Sequence, residues 1–323
     1  MEDKLVEGYF IRTSDNLIFE VKGVVHPHDR IIAYVRYVPD LDSGFRKIYD
    51  LQEREEYLSK GFLGYLWFSK THGRILQAVP HKKIVQVFNP VEHMSQIRND
   101  KSALSIATSN LVELLLDNTG IDRTEIGVTG SQLVGVATEK SDIDLVVYGE
   151  STCRKFYNRL RKIFDKIPRL ERYEGELLDA HVLFRWGNLT EYQELLHKIE
   201  SIKILQGVFE SHQFFIRLVK RPQDVSEIFG QIVTENLKTR EVHCSVIKDR
   251  NSIFTPCTYQ VESLDLPKLR QLVSYRGRFT EQVSSDISVK ARGRLENVVD
   301  SSTGENYQQL VLGESPSDYL IPI

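Results

Sequence analysis

The chain has 323 residues, with 42 Lys and Arg against 45 Asp and Glu, a net charge of −3, 41% apolar residues and 27% charged residues. These are globular proportions, which exclude a collagen-like, disordered or disulfide-scaffold protein. The length exceeds what one hydrophobic core usually serves, so two or three domains are expected.

The longest apolar run, Phe62 to Phe68, is broken by Gly64 and is far shorter than the roughly 20 residues that cross a bilayer, so no membrane partner is expected. The start, Met1-Glu2-Asp3-Lys4, is acidic where a secretory signal is basic, which points to the cytoplasm. Cys153, Cys244 and Cys257 show no C-x-x-C spacing, so reduced thiols are expected rather than a disulfide framework or zinc ribbon. With net charge near zero, any binding to nucleic acid needs a local basic surface.

Residues 5–98 read as a β-rich domain with one helix. Val6 to Arg12, Leu17 to Lys22 and Ile31 to Val38 are rich in β-branched and aromatic residues, with turn signals at Ser14-Asp15-Asn16 and Pro39-Asp40. Leu51 to Lys60 predicts a helix stopped at Gly61. Asn99-Asp100 offers a cap before Lys101 to Asp117, where Leu104, Ala107, Leu111, Leu114 and Leu115 recur at helical spacing. The order then alternates. A strand spans Glu125 to Thr129, a short helix follows Ser131, a strand spans Ile143 to Tyr148, and a helix runs from Ser151 to Lys166 before Pro168. Leu177 to Phe184 reads as a further β-like run, a helix opens at Thr190 with Gln193 as capping partner, and Gly207 to Glu210 returns as Gln213 to Lys220 in a hairpin. Residues 223–239 read as helical and 241–323 as short β-like runs, among them Ser245 to Lys248, Thr258 to Val261 and Leu310 to Leu312. The expected domains are 1–98, 99–221 and 222–323.

One constellation carries chemistry. Gly130-Ser131 follows the strand Ile126-Gly127-Val128-Thr129, and a ten-residue spacer leads to Asp142-Ile143-Asp144-Leu145. Gly130 lets the backbone turn sharply and bring its N–H groups close to an anion, and Ser131 stands at a helix start with one more donor. Asp142 and Asp144, one residue apart on a strand, leave the same face with Cα atoms about 6.5–7 Å apart. Two like charges so placed call for a hard divalent cation with oxygen ligands. Ile143 and Leu145 point the other way and anchor the strand. A phosphate cradle beside paired carboxylates suits phosphoryl or nucleotidyl transfer.

This string resembles the signature of the DNA polymerase β-like nucleotidyltransferase superfamily. More loosely, Glu7-Gly8-Tyr9-Phe10-Ile11, Asp29 to Asp40, Val128 to Gly149 and Ser252 to Val261 are similar to uncharacterised archaeal proteins assigned to the nucleotidyltransferases. The resemblance implies an α/β (α+β) nucleotidyltransferase core with a mixed β-sheet, flanked by an N-terminal β-rich domain and a C-terminal mainly β domain. It implies that Gly130 and Ser131 hold a nucleoside triphosphate and that Asp142 and Asp144 are the catalytic metal ligands for Mg2+ or Mn2+. A hydroxyl on RNA, a protein or a small molecule then attacks the α-phosphate and pyrophosphate leaves. Active members carry a third carboxylate on a neighbouring strand. Here Gln213 to Val219 contains none, with Arg217 at its centre, and the candidates are Asp179, Glu210 and the more distant Glu241. Either the third acid comes from outside 213–219, or the protein is a nucleotide- or RNA-binding adaptor with weak or absent turnover.

Other features have competing readings. Residues 151–172 hold eight Lys and Arg against two Asp and Glu, either a track for a nucleic-acid backbone or a solvated helix face. Arg217, Lys220 and Arg221 could neutralise phosphate or form salt bridges. His26 and His28 around Pro27 read as a turn rather than a metal site, His243-Cys244 with Cys257 as buried rather than zinc-binding, and Phe62, Tyr65, Trp67 and Phe68 as core rather than base-stacking.

Overall fold

The computed structural model describes residues 5–42, 44–187 and 189–323, so Met1-Glu2-Asp3-Lys4 lies outside the described residues. The protein is a mixed α/β chain with several sheets, in two compact units: Met1–Phe156 with Val219–Gly230, and Tyr157–Leu218 with Gln231–Ile323. The junctions at 156/157 and 218/219 both fall within residues 99–221.

The first unit opens with β1 (Phe10–Thr13), β2 (Ile18–Val21), β3 (Arg30–Asp40), β4 (Gly44–Lys47), α1 (Leu51–Ser59), β5 (Leu66–Ser69), β6 (Arg74–Pro80) and β7 (Ile84–Phe88). The strands form one sheet in the order β5-β6-β3-β2-β1-β7, with β4 paired to β3. Its core includes Ile11, Leu17, Phe19, Val21, Val35 and Tyr65. Tyr65 packs 4.9 Å from Phe19, and Phe62 stacks on Tyr57, so these aromatics serve packing; Phe68 is exposed. His26 ties loop to strand, its Nε2 bonding Leu5 O at 2.8 Å and its Nδ1 accepting from Ile32 N at 3.3 Å, as a turn residue does.

Next come α2 (Pro90–Asn99), α3 (Ala103–Thr119), β8 (Ile126–Val128), the single turn α4 (Gly130–Leu133), β9 (Ile143–Tyr148) and α5 (Glu150–Ile163), which runs into the second unit. The helix α2 is a second helix at the end of the region that reads as β-rich with one helix. Asn89 caps it by accepting from Val91 N and Glu92 N, and Pro90 takes a first-turn position where its missing N–H costs nothing. The α3 cap is Ser102 rather than Asp100, whose carboxylate instead accepts from the hydroxyls of Ser102 and Ser105. Gly120, at φ 63°, ends this helix in the left-handed conformation that favours glycine.

In the second unit, β10 (Leu170–Glu171) pairs with β11 (Gln206–Phe209), which pairs with β12 (His212–Val219); α6 (Gly175–Trp186) and α7 (Gln193–Ile202) lie between β10 and β11 in the chain. The β-like run Leu177 to Phe184 is therefore helical. Leu178, Val182 and Trp186, four residues apart, face the core, a spacing visible only when the window reaches Trp186. A buried polar cluster stands beside it. Glu200 accepts from Trp186 Nε1 at 2.9 Å, Gln206 Nε2 at 2.6 Å and Lys203 Nζ at 2.8 Å, with His181 Nε2 at 3.2 Å.

The strands β13 (Ile232–Asn251), β14 (Cys257–Glu262), β15 (Leu269–Ser274), β16 (Ile287–Asp300), β17 (Glu305–Leu312) and β18 (Tyr319–Pro322) complete the fold. The expected helix at 223–239 is a 3-10 turn at Pro222–Asp224 followed by the start of β13. The β-branched run Ile232-Val233-Thr234 pairs with Val298 to Asp300 of β16, so local β propensity and long-range pairing together make this segment a strand. Inward Val242, Cys244 and Val246 alternate with exposed neighbours, so one 20-residue strand reads as short pieces. Cys244 and Cys257 are buried thiols, pushed up to about 12 by desolvation, which fits core packing rather than metal binding.

Candidate active site

Hydrophobic patterning builds the site. Ile143 and Leu145 of β9 are fully buried, and Asp144 between them alternates to the other face of the strand. Asp142 immediately precedes β9 and is exposed; Asp144 lies within it and is half-buried. β8 pairs antiparallel with β9, Val128 facing Leu145, and Thr129 N extends the ladder to Asp144 O at 2.8 Å. Gly130 follows at φ 68°, turning the chain out of the strand directly beside Asp144.

The fit there is close. A Cβ built on Gly130 would overlap Asp144 Oδ2 and lie 2.9 Å from its Cγ. The glycine is thus required both by its left-handed backbone and by the carboxylate against it. The structure brings Gly130 and Asp144 into contact, with Ser131 in the next position of α4 and Asp142 two residues before Asp144.

Groups that the motif does not reveal hold this turn. Gln132 Oε1 accepts from Thr108 Oγ1 of α3 at 2.9 Å, and Leu133 packs with Phe10, Ile18 and Tyr37 of the N-terminal sheet. Thr129 Oγ1 donates to Gly8 O at 2.6 Å, and Tyr148 Oη donates to Glu7 O at 3.1 Å. Tyr37 is buried, and its phenol is raised above its ordinary range, chiefly by desolvation, with Asp144 among the negative charges that add to it. No local spacing could have found Tyr37, 107 residues before Asp144.

The proposed third acids have other partners. Asp179 lies on α6 and accepts from His197 Nε2 at 2.8 Å; Glu210 is ion-paired with Arg169; Glu241 meets Lys290 Nζ at 3.1 Å. Among the described residues, no group of three His, Cys, Asp or Glu side chains is arranged to hold a metal. Lys220 pairs with Glu150 at 2.9 Å, and Glu150, held below the usual carboxylate range chiefly by that bond, also pairs with Arg154. Arg221 Nη2 donates to Thr124 O at 3.4 Å, so the side chains of Lys220 and Arg221 both have partners within the fold.

Gly130 and Asp144 meet at the edge of the β8–β9 pair, with α2 packed against β8 and α4 against β9. Residues 109–233 match the family model of the nucleotidyltransferase domain, which bears out the resemblance read from the motif. Over 94% of its length, the chain is 26% identical to an uncharacterised protein of the archaeon Methanocaldococcus jannaschii, covering 94% of that protein. No solved structure matches. No helix among the described residues is long and apolar enough to cross a membrane.

Proposed function

We propose that the protein is a Mg2+-dependent nucleotidyltransferase that moves a nucleoside monophosphate from a nucleoside triphosphate to a hydroxyl of RNA, a protein or a small molecule. The contact between Gly130 and the Asp144 carboxylate carries this reading, because it puts the phosphate-turn residue and an acid in one place. Asp142 and Asp144 fit Mg2+, which binds through one or two carboxylates plus substrate phosphates and water; Mn2+ suits the same oxygen donors. When bound, the ion neutralises charge on the triphosphate. Gly130 leaves room for the Asp144 carboxylate and turns the chain so that N–H groups can face the phosphates, and Ser131 offers its hydroxyl as a donor. The acceptor oxygen forms its bond to the α-phosphorus as the bond to the bridging oxygen of pyrophosphate breaks, and the acceptor proton passes to solvent or a nearby base. We further propose that regions 1–98 and 222–323 flank a core at 99–221 and select the acceptor.

The test is incubation with triphosphates labelled at the α-phosphate, with total cellular RNA and protein as acceptors. Label is expected in one pool, and Asp142→Ala or Asp144→Ala is expected to abolish it. Turnover that survives in either variant refutes the assignment. A second reading, a binding adaptor with weak turnover, is favoured by the engagement of Asp179, Glu210 and Glu241 with His197, Arg169 and Lys290. It predicts metal-dependent triphosphate binding by calorimetry without transfer of label.

A further inference from the structure

The strands after residue 231 close into a barrel. β13 pairs with β14, β14 with β15, β15 with β17, β17 with β16, and β16 returns to β13. Counted in chain order within the barrel, this is 1-2-3-5-4, with the 3–5 pair parallel and every other pair antiparallel. That is the topology of the five-stranded barrels that bind oligonucleotides or oligosaccharides on their outer face. The interior here is filled by Val242, Val246, Tyr259, Leu272, Val289 and Leu310, so a ligand has only the outside to use.

One end of the barrel carries the matching chemistry. The registers Asn251↔Thr258 and Cys257↔Ser274 bring the end of β13, the start of β14 and the end of β15 to the same rim. Lys248 and Arg250 are exposed there on β13, and Tyr275, 41% exposed, follows β15. The second half of α5 borders this rim. Tyr157 Oη donates to Glu281 Oε1 at 3.1 Å, Glu281 N donates to Ser252 O at 3.3 Å, and Ser252 N donates to Asp249 O at 2.8 Å. Beyond Tyr157, α5 exposes Arg159, Arg161 and Lys162. Of the nearby acids, Asp165 is engaged by Arg172, and Asp249, between Lys248 and Arg250, offsets part of the charge of the five exposed cations Lys248, Arg250, Arg159, Arg161 and Lys162.

We propose that this rim, with the outer face of α5, binds single-stranded nucleic acid, the cations following the phosphates and Tyr275 stacking on a base. The cations favour a polyanion over a neutral oligosaccharide. This rests on the second unit alone and stands apart from the nucleotidyl-transfer assignment.

The experiment is fluorescence anisotropy of the full chain with labelled 20-nucleotide oligo(U) RNA and oligo(dT), with a 20-base-pair RNA duplex and maltohexaose as competitors. Binding of either single strand is expected, and the two arms tell RNA from DNA. With about four phosphates contacted, the log–log salt slope is about −2.8, so affinity falls about 50-fold between about 50 and 200 mM salt. Changing Arg161→Gln and Lys162→Gln together should reduce that slope by about 1.4. Tyr275→Ala should weaken binding about fivefold or more with the slope unchanged, and Tyr275→Phe should restore it. Thermal melting confirms that each variant is folded. Absence of binding to both strands, competition by duplex as strong as by single strand, displacement by maltohexaose, or folded variants indistinguishable from the parent would each overturn the proposal.

Discussion

Replacing Gly130 with alanine separates the two reasons for a glycine there. The residue sits at φ 68°, where a side chain costs about 1–2 kcal/mol. The new methyl would also overlap Asp144 Oδ2, so the carboxylate has to leave its rotamer at about 0.5–1.5 kcal/mol. The total is about 1.5–3.5 kcal/mol. Gly135 supplies the control, because its φ of 74° is similar and nothing lies within 4 Å of its missing Cβ. Gly135→Ala should therefore cost about 1–2 kcal/mol and leave the site alone. Urea unfolding measures both costs, and calorimetry with a triphosphate and Mg2+ measures the site. Gly130→Ala is expected to lose stability beyond Gly135→Ala and to lose metal-dependent nucleotide binding by tenfold or more, since about 1.4 kcal/mol at Asp144 suffices for that. Equal destabilisation of the two variants with unchanged nucleotide binding would refute the reasoning.

Gly127→Ala should destabilise by about 1–3 kcal/mol in urea, because its methyl would meet the Pro90 and Val91 backbone of α2 at 2.5–2.7 Å; an unchanged midpoint would show that α2 yields freely. Lys203→Met should cost about 3–5 kcal/mol by stripping buried Glu200 of its cation, and a neutral outcome would show that the remaining donors suffice. Burial lowers His26 from about 6.5 to about 4, so the unfolded chain takes up the proton first. Its contribution is complete above about pH 6.5 and falls away as pH drops toward 4, by about 3 kcal/mol in all. Urea midpoints of the parent and His26→Gln at pH 7.5 and 4.5 check the sign: the parent should lose more, and parallel losses would count against it.

What was legible in the sequence follows from which forces are local. The strand Ile143–Tyr148 appears with its expected bounds because a buried hydrophobic alternation is written into adjacent residues. The hairpin β11–β12 and the helix α5 were readable for the same reason, from turn chemistry and an amphipathic stripe. The misreadings are segments whose conformation is set from afar. β13 owes its length to a partner strand some fifty residues on, and α6 shows its period only once Trp186 is included. The helix α2 is a different case, because Asn89-Pro90 with Glu92 is a local start signal set within a region whose other elements are mostly strands. In the site, the contact of Gly130 with Asp144 joins two parts of the motif that the sequence shows only as separate strings, and Asp179, in a run that reads as β-like, lies on a helix.

The motif is local in sequence and distant in support. Thr129 and Tyr148 bracket the glycine turn and the acid-bearing strand, and both reach back to the backbone of Glu7 and Gly8. Leu133, on the turn itself, is covered by Phe10, Ile18 and Tyr37. A buried hydroxyl that loses its partner costs about 1–3 kcal/mol, and the apolar contacts add to that. The N-terminal sheet therefore stabilises the turn that holds Gly130 against Asp144, in addition to any part it takes with an acceptor. Tyr37 joins these roles, since its buried ring braces Leu133 while its phenol senses the charge of Asp144. The motif is in this way tied to the N-terminal region through Thr129, Leu133 and Tyr148.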